Sequence, residues 1–103
     1  MNIVIFITAQ NKKEAKKIAK GLVSERLVAC VNIIEKIDSV FLWNKKTEKA
    51  KELLLIAKAR KDKFPKVVKL VKALHSYQVP EIIALPVIDG YKPYLRWLNE
   101  SDR

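Results

Sequence analysis

Residues 27–43 set the tightest limit on what this chain can fold into. Residues 27–32 are apolar and rich in strand formers. The pattern runs on through Ile33 and Ile34, breaks near residues 36–38, and resumes as Ser39-Val40-Phe41-Leu42-Trp43. Extended at roughly 3.3 Å per residue, such a segment reaches about 50 Å. A compact domain of about 100 residues has a radius of gyration near ~13 Å. Asn44-Lys45-Lys46-Thr47 reads as a turn, and residues 52–59 as the returning strand. The hairpin therefore overhangs its own sheet. In its distal part Val40 and Leu42 alternate with Phe41 and Trp43, so both faces carry apolar side chains. An exposed apolar strand pair is a liability unless something covers it. Further copies of the same chain, in a closed cyclic oligomer, are the economical cover.

The remaining elements follow from periodicity. Residues 3–8 form a nearly continuous apolar, β-branched run, which suits a central strand buried on both faces. Asn11 offers an N-cap with Glu14 in a capping-box position. Ala15, Ile18, Ala19, Leu22 and Val23 then follow at helical spacing, and that helix should end near Arg26. Asp62 is placed to cap a second helix, with Pro65 in its first turn and Phe64, Val67, Val68, Val71 and Leu74 on one face. Residues 81–88 read as a fourth strand, in which Pro86 argues for an edge position. Pro93 opens a short closing helix carrying Tyr94, Leu95, Trp97 and Leu98. The order predicts an α+β domain of the split-βαβ, ferredoxin-like βαββαβ plan, with a long β2–β3 hairpin and a C-terminal helix. Its 103 residues suffice for one domain, residues 1–103.

Composition narrows the classes. Half the residues are hydrophobic and 31% are charged, which is a folding composition. No apolar run approaches the roughly 20 residues of a membrane-spanning helix. The opening Met1-Asn2-Ile3-Val4-Ile5-Phe6-Ile7 reads as a strand and not as a signal peptide, so a cytoplasmic location is expected. Cys30 is the single cysteine; its apolar neighbours predict a small buried hydrophobe, with no disulfide and no multi-cysteine metal site. The 21 Lys and Arg against 11 Asp and Glu give a formal charge of +10, which attracts anions. The ordinary reading of such lysines is a solvated helix face.

Chemistry concentrates in Leu74-His75-Ser76-Tyr77-Gln78-Val79-Pro80-Glu81, where a helix end feeds a buried strand. His75 and Glu81 offer an imidazole nitrogen and a carboxylate oxygen, a pair suited to Cu(II) or Zn(II). They equally suit a structural role, with His75 bonding backbone near the helix end and Glu81 bonding nearby donors. One histidine per chain is thin for a tight site, and the structural role is the more economical.

Together these residues resemble the CutA family of divalent-cation-tolerance proteins. The matching pieces are Glu25 through Asn32, Ser39 through Trp43, residues 52–58, Leu74 through Glu81 where the family typically has His-Pro-Tyr-(Glu/Gln)-x-Pro, and Tyr94-Leu95-Arg96-Trp97-Leu98. Five pieces in register cover essentially the whole chain. The resemblance implies a ferredoxin-like homotrimer, similar in architecture to the PII signalling proteins, with hairpins paired between subunits and a role in tolerance to copper and other divalent cations. It implies no agreed reaction. Two departures stand out. Ser76 replaces the usual proline after the histidine. Of the positions through which some bacterial members are thought to bind copper, Ile7 and Leu74 replace a cysteine and a histidine, and only Glu81 survives.

Three functions follow for weighing. The first is a homotrimer that binds divalent metal, copper ahead of zinc, through His75 and Glu81, with no obligatory cofactor. The second is a PII-like module that takes a small anionic ligand or a partner protein in intersubunit clefts lined by Trp43, Lys58 and Tyr77. The third, RNA binding, lacks the RNP-type motif with its glycines and stacking aromatics, so nucleic acid is not an expected partner. No nucleophile–base spacing or acidic pair points to an enzyme.

Overall fold

The computed structural model describes residues 1–101. Four strands and three α-helices follow in the order β1 (Asn2–Ala9), α1 (Lys12–Ser24), β2 (Cys30–Trp43), β3 (Lys46–Arg60), α2 (Phe64–Leu74), β4 (Ile82–Pro86) and α3 (Lys92–Ser101). All pairings are antiparallel and the sheet order is β2-β3-β1-β4, which puts β1 and β3 in the centre as the split-βαβ plan requires.

Alternation along β1 divides the sheet into two faces. Ile3, Ile5, Ile7 and Ala9 are buried with Leu53, Leu55, Ala57 and Ala59 of β3, and they share a core with Ala15, Ile18 and Leu22 of α1 and Val67 and Val71 of α2. The opposite face carries Val4 and Phe6, with Leu54, Ile56 and Lys58 of β3 and Ile83 and Leu85 of β4 in register beside them. This second face stays open over part of its area: Ile34, Ile83 and Leu85 are all exposed. The closing helix, whose face periodicity alone does not fix, places its Tyr94 hydroxyl 3.8 Å from Cys30 Sγ, and Cys30 sits opposite Lys58, so α3 rests on the second face. Cys30 is accordingly half-buried beside a phenol, not sealed in the core as its neighbours suggested.

Local signals explain the boundaries. Asn11 caps α1 by accepting the Glu14 N–H at 2.8 Å. The helix ends in a Schellman-type closure, with Leu27 N–H bonded to the Leu22 carbonyl and Arg26 at φ 59°. Asp62 does not cap α2, contrary to expectation: the cap position falls on Lys63, and Asp62 is drawn instead to Arg60 at 2.7 Å. The guanidinium bonds hold that carboxyl down to about 2, against a smaller upward pull from desolvation. β4 is shorter than predicted, and Pro86 ends it at the sheet edge.

The hairpin is longer than the apolar pattern implied, because β3 begins at Lys46 and not at Glu52. Residues 46–51 carry little apolar signal, yet backbone pairing with β2 continues to the turn. Asn44 and Lys45, at φ 51° and 65°, make the two-residue turn whose twist matches the flanking strands. The break near residues 36–38 is a β-bulge: Ile34 faces Leu54 but Ile37 faces Glu52, leaving one extra residue on β2, and Lys36 sits at φ 61°. Pairing with β1 stops at Leu53, so the part beyond projects from the body. The chain measures 45 × 25 × 23 Å, and Val40, Phe41, Leu42 and Trp43 are exposed on the projecting arm.

Candidate functional site

Where the hairpin leaves the sheet, the second face forms a groove of about 400 Å³ lined by Thr8, Ser39, Val40, Phe41, Glu52, Tyr77, Val79 and Glu81. The bulge makes this wall. By adding one residue to β2 it turns Ile37, Ser39 and Phe41 onto the side of Glu52. Glu52 retains only 8% of its accessible surface. Its Oε2 accepts a 2.8 Å hydrogen bond from the Tyr77 hydroxyl. Burial first, and then the bond and the negative charge of Glu52, push the Tyr77 phenol up to about 12.

The loop that presents Tyr77 is held by His75. The His75 side chain is fully buried and both ring nitrogens are occupied. Nε2 lies 2.6 Å from the Thr8 carbonyl oxygen, which can only accept, so Nε2 carries the proton. Nδ1 accepts the Tyr77 backbone N–H at 3.0 Å. The imidazole thus ties the end of α2 to β1 and sets the course of the next two residues. Its ring packs 4.7 Å from that of Tyr77. Glu14 secures the same loop from α1: its carboxylate accepts the Ser76 N–H at 2.7 Å and the Gln10 N–H at 3.4 Å. Burial raises the Glu14 pKa, but the bonds from Ser76 and Gln10 and the nearby His75 outweigh it, and the net shift is downward.

The residues singled out in the sequence are only partly assembled. Tyr77 and Glu81 line one groove, with Glu81 exposed. His75 lies behind that groove with no nitrogen turned into it. Lys58 is on the second face near the opposite end of β3, bonded to Asn32. Trp43 is at the hairpin tip opposite Lys46, about 40 Å along the strand from Lys58 at roughly 3.3 Å per residue. A single chain therefore does not bring Trp43, Lys58 and Tyr77 together. Glu14, Glu52 and Thr8 were not foreseen. Only Glu52 carries a signal, as a lone carboxylate opening the apolar run Leu53-Leu54-Leu55-Ile56. Among the described residues no three His, Cys, Asp or Glu side chains converge as a metal centre. No helix among them is long and apolar enough to cross a membrane.

This fold, with its projecting hairpin and its loop from His75 to Glu81, is matched among known proteins. Residues 3–101 fit the family described as CutA1 divalent ion tolerance protein. The chain belongs to that family. It is 46% identical over 101 residues to a divalent-cation tolerance protein CutA of Thermus thermophilus, covering 98% of both chains. It is 44% identical to a chloroplastic CutA 1 of Oryza sativa, but spans only 58% of that longer protein. The solved Thermus structure superposes with a TM-score of 0.96 over 98% of each chain. A structure named as the periplasmic divalent cation tolerance protein CutA of Archaeoglobus fulgidus gives 0.96 at 45% identity, covering 100% of both. The resemblance drawn from five short pieces of sequence thus extends to the whole CutA fold. The Thermus and Archaeoglobus relatives are named for tolerance, not for a reaction.

Proposed function

We propose that the chain serves divalent-cation tolerance by binding the cation, without catalysis, as a homotrimer. One observation carries the binding site: in a chain of net charge +10, the carboxylates of Glu52 and Glu81 line the same groove as the Tyr77 and Ser39 hydroxyls. Glu81 is the exposed member and the proposed ligand. His75, considered above as a second ligand, enters this reading as the group that positions the loop, because a metal at either nitrogen would cost a buried hydrogen bond. The donors within one protomer are then all oxygen. Such a set suits loosely held hard cations, and copper gains a nitrogen donor only if a neighbouring subunit supplies one.

The exposed apolar residues of the open face and of the hairpin support the trimer. The PII-like alternative, an anion held by Trp43, Lys58 and Tyr77, requires subunits to bring those residues together and to offset two carboxylates beside Tyr77. The relatives named chloroplastic and periplasmic show that compartment varies in the family; a cytoplasmic site remains our proposal for this chain. Calorimetric titration of the purified protein with Cu(II) and Mn(II), alongside light scattering, tests the reading. Glu81→Gln should weaken binding at least tenfold while the mass stays trimeric. Unchanged affinity in that variant, or a monomeric wild type at micromolar concentration, rules the reading out.

A further inference from the structure

The outward side of the helical layer is unlike the rest of the molecule. On α1, Ala15, Ile18 and Leu22 face the core, and Lys13, Lys16, Lys17 and Lys20 occupy the opposite side of the helix, all exposed. On α2, Val67 and Val71 face the core, and Lys66, Lys69 and Lys72 point away from it, again exposed. Among the described residues none of these seven forms an ion pair; Lys12, beside them, lies 3.5 Å from Glu35. The carboxylates that would balance the layer are absent from this side. α2 has no acidic residue, and the one acidic residue of α1, Glu14, is turned inward to Ser76.

Stability does not account for this pattern. A solvated helix gains from Glu and Lys alternating at i, i+4, whereas Lys13/Lys17, Lys16/Lys20, Lys66/Lys69 and Lys69/Lys72 place like charges one turn apart, each a small cost. Lys13 also lies in the first turn of α1, the unfavourable end of the helix dipole. Two adjacent rows of unpaired ammonium groups at successive turns form a surface complementary to a continuous polyanion.

We propose that this helical face docks the phosphate backbone of duplex nucleic acid without reading its sequence. Several features select that occupant. Lysine supplies point charges on flexible stems, and the face has no arginine fork or aromatic ring to engage bases. The missing RNP-type motif is therefore no obstacle, because the sheet is not the binding surface. A lipid surface is less well matched: stable peripheral binding needs apolar side chains to insert beside the basic ones, and of the exposed large apolar residues only Val23 lies on α1 or α2. The lysine row from Lys13 to Lys20 is about 10 Å long at 1.5 Å per residue, which spans roughly 6 phosphate charges of a duplex. The face lies on the side of the sheet away from the open apolar surface, so burial of that surface between subunits leaves it outward.

The test is fluorescence anisotropy of a labelled 20-base-pair DNA of arbitrary sequence with the assembled wild-type protein. If about five phosphates are contacted, affinity should fall about 500-fold between 50 and 200 mM salt. The variant Lys13→Gln, Lys17→Gln, Lys66→Gln, Lys69→Gln should bind more than tenfold more weakly at 50 mM salt, with a wild-type circular dichroism spectrum and a melting temperature no lower than that of wild type. A charge-matched variant, Lys36→Gln, Lys45→Gln, Lys46→Gln, Lys49→Gln, should stay within about threefold of wild type. No binding at 50 mM salt overturns the proposal. So does equal weakening in both variants, which would mean net charge alone, and so does tighter binding to vesicles containing 30% phosphatidylserine than to the duplex.

Discussion

Replacing His75 with alanine removes a fully buried ring and two hydrogen bonds, one to a buried carbonyl and one from a partly buried N–H. The Thr8 carbonyl loses the Nε2–H at 2.6 Å and the Tyr77 N–H loses the Nδ1 acceptor at 3.0 Å. Each stranded buried backbone group costs about 1–3 kcal/mol, and the space left by a fully buried ring adds to that. A loss of about 3–5 kcal/mol is expected, a large share of the ~5–15 kcal/mol that holds a domain of this size. At about 4–8 °C per kcal/mol the melting temperature should fall by at least ~12 °C. Guanidinium unfolding, read at matched protein concentration so that any self-association contributes equally, gives the number. His75→Gln retains an N–H in reach of Thr8 and should recover part of the loss. Cation affinity of the folded His75→Ala protein should change less than that of Glu81→Gln. A loss below 1 kcal/mol, with glutamine no better than alanine, would falsify the account of His75 as the clasp of this loop.

Three further outcomes follow from named geometry. The Tyr77 pKa is raised from 10 to about 12, so its contribution is complete below pH 10 and is lost as pH rises through 12; Tyr77→Phe should flatten the alkaline limb of the stability profile between those values. Arg26→Gly and Lys45→Gly relieve side chains held at φ 59° and 65°, and each should raise stability by about 1 kcal/mol in chemical denaturation; a loss at either site would contradict the assigned backbone. Gly21→Ala should add about 0.5–1 kcal/mol, since the new methyl meets Leu70 and Leu74 at 3.4 Å, an ordinary contact; a fall in melting temperature would mean that those leucines cannot accommodate it.

What the sequence disclosed was whatever periodicity encodes. Ile3, Ile5 and Ile7 announced a central strand, and Ile18, Leu22, Val67 and Val71 the inner faces of two helices. The overhang could be inferred because residues 27–43 carry more strand than one small sheet can use. Polar partners were hidden, since a side chain's hydrogen bonds depend on what the fold brings beside it. Glu14 looked like half of a capping box; it became the anchor for Ser76, 62 positions away. Asp62 had a capping position and chose the guanidinium two residues before it. The start of β3 went unseen because Lys46-Thr47-Glu48-Lys49 has no apolar rhythm, and its strand character comes only from its partner. Which face α3 would occupy was likewise a tertiary choice.

The single extra residue at Lys36 has an effect out of proportion to its size. Upstream of it, odd-numbered side chains of β2 serve the chain's own interior; downstream, odd-numbered side chains serve the groove and even-numbered ones look the other way. One ribbon thereby obeys two opposite parities, an inner one for folding and an outer one for company. Excising that residue would restore one unbroken alternation from Ile34 to Ile37, keep Ile37 opposite Glu52, and remove only the bend and extra twist with which the ribbon leaves the sheet.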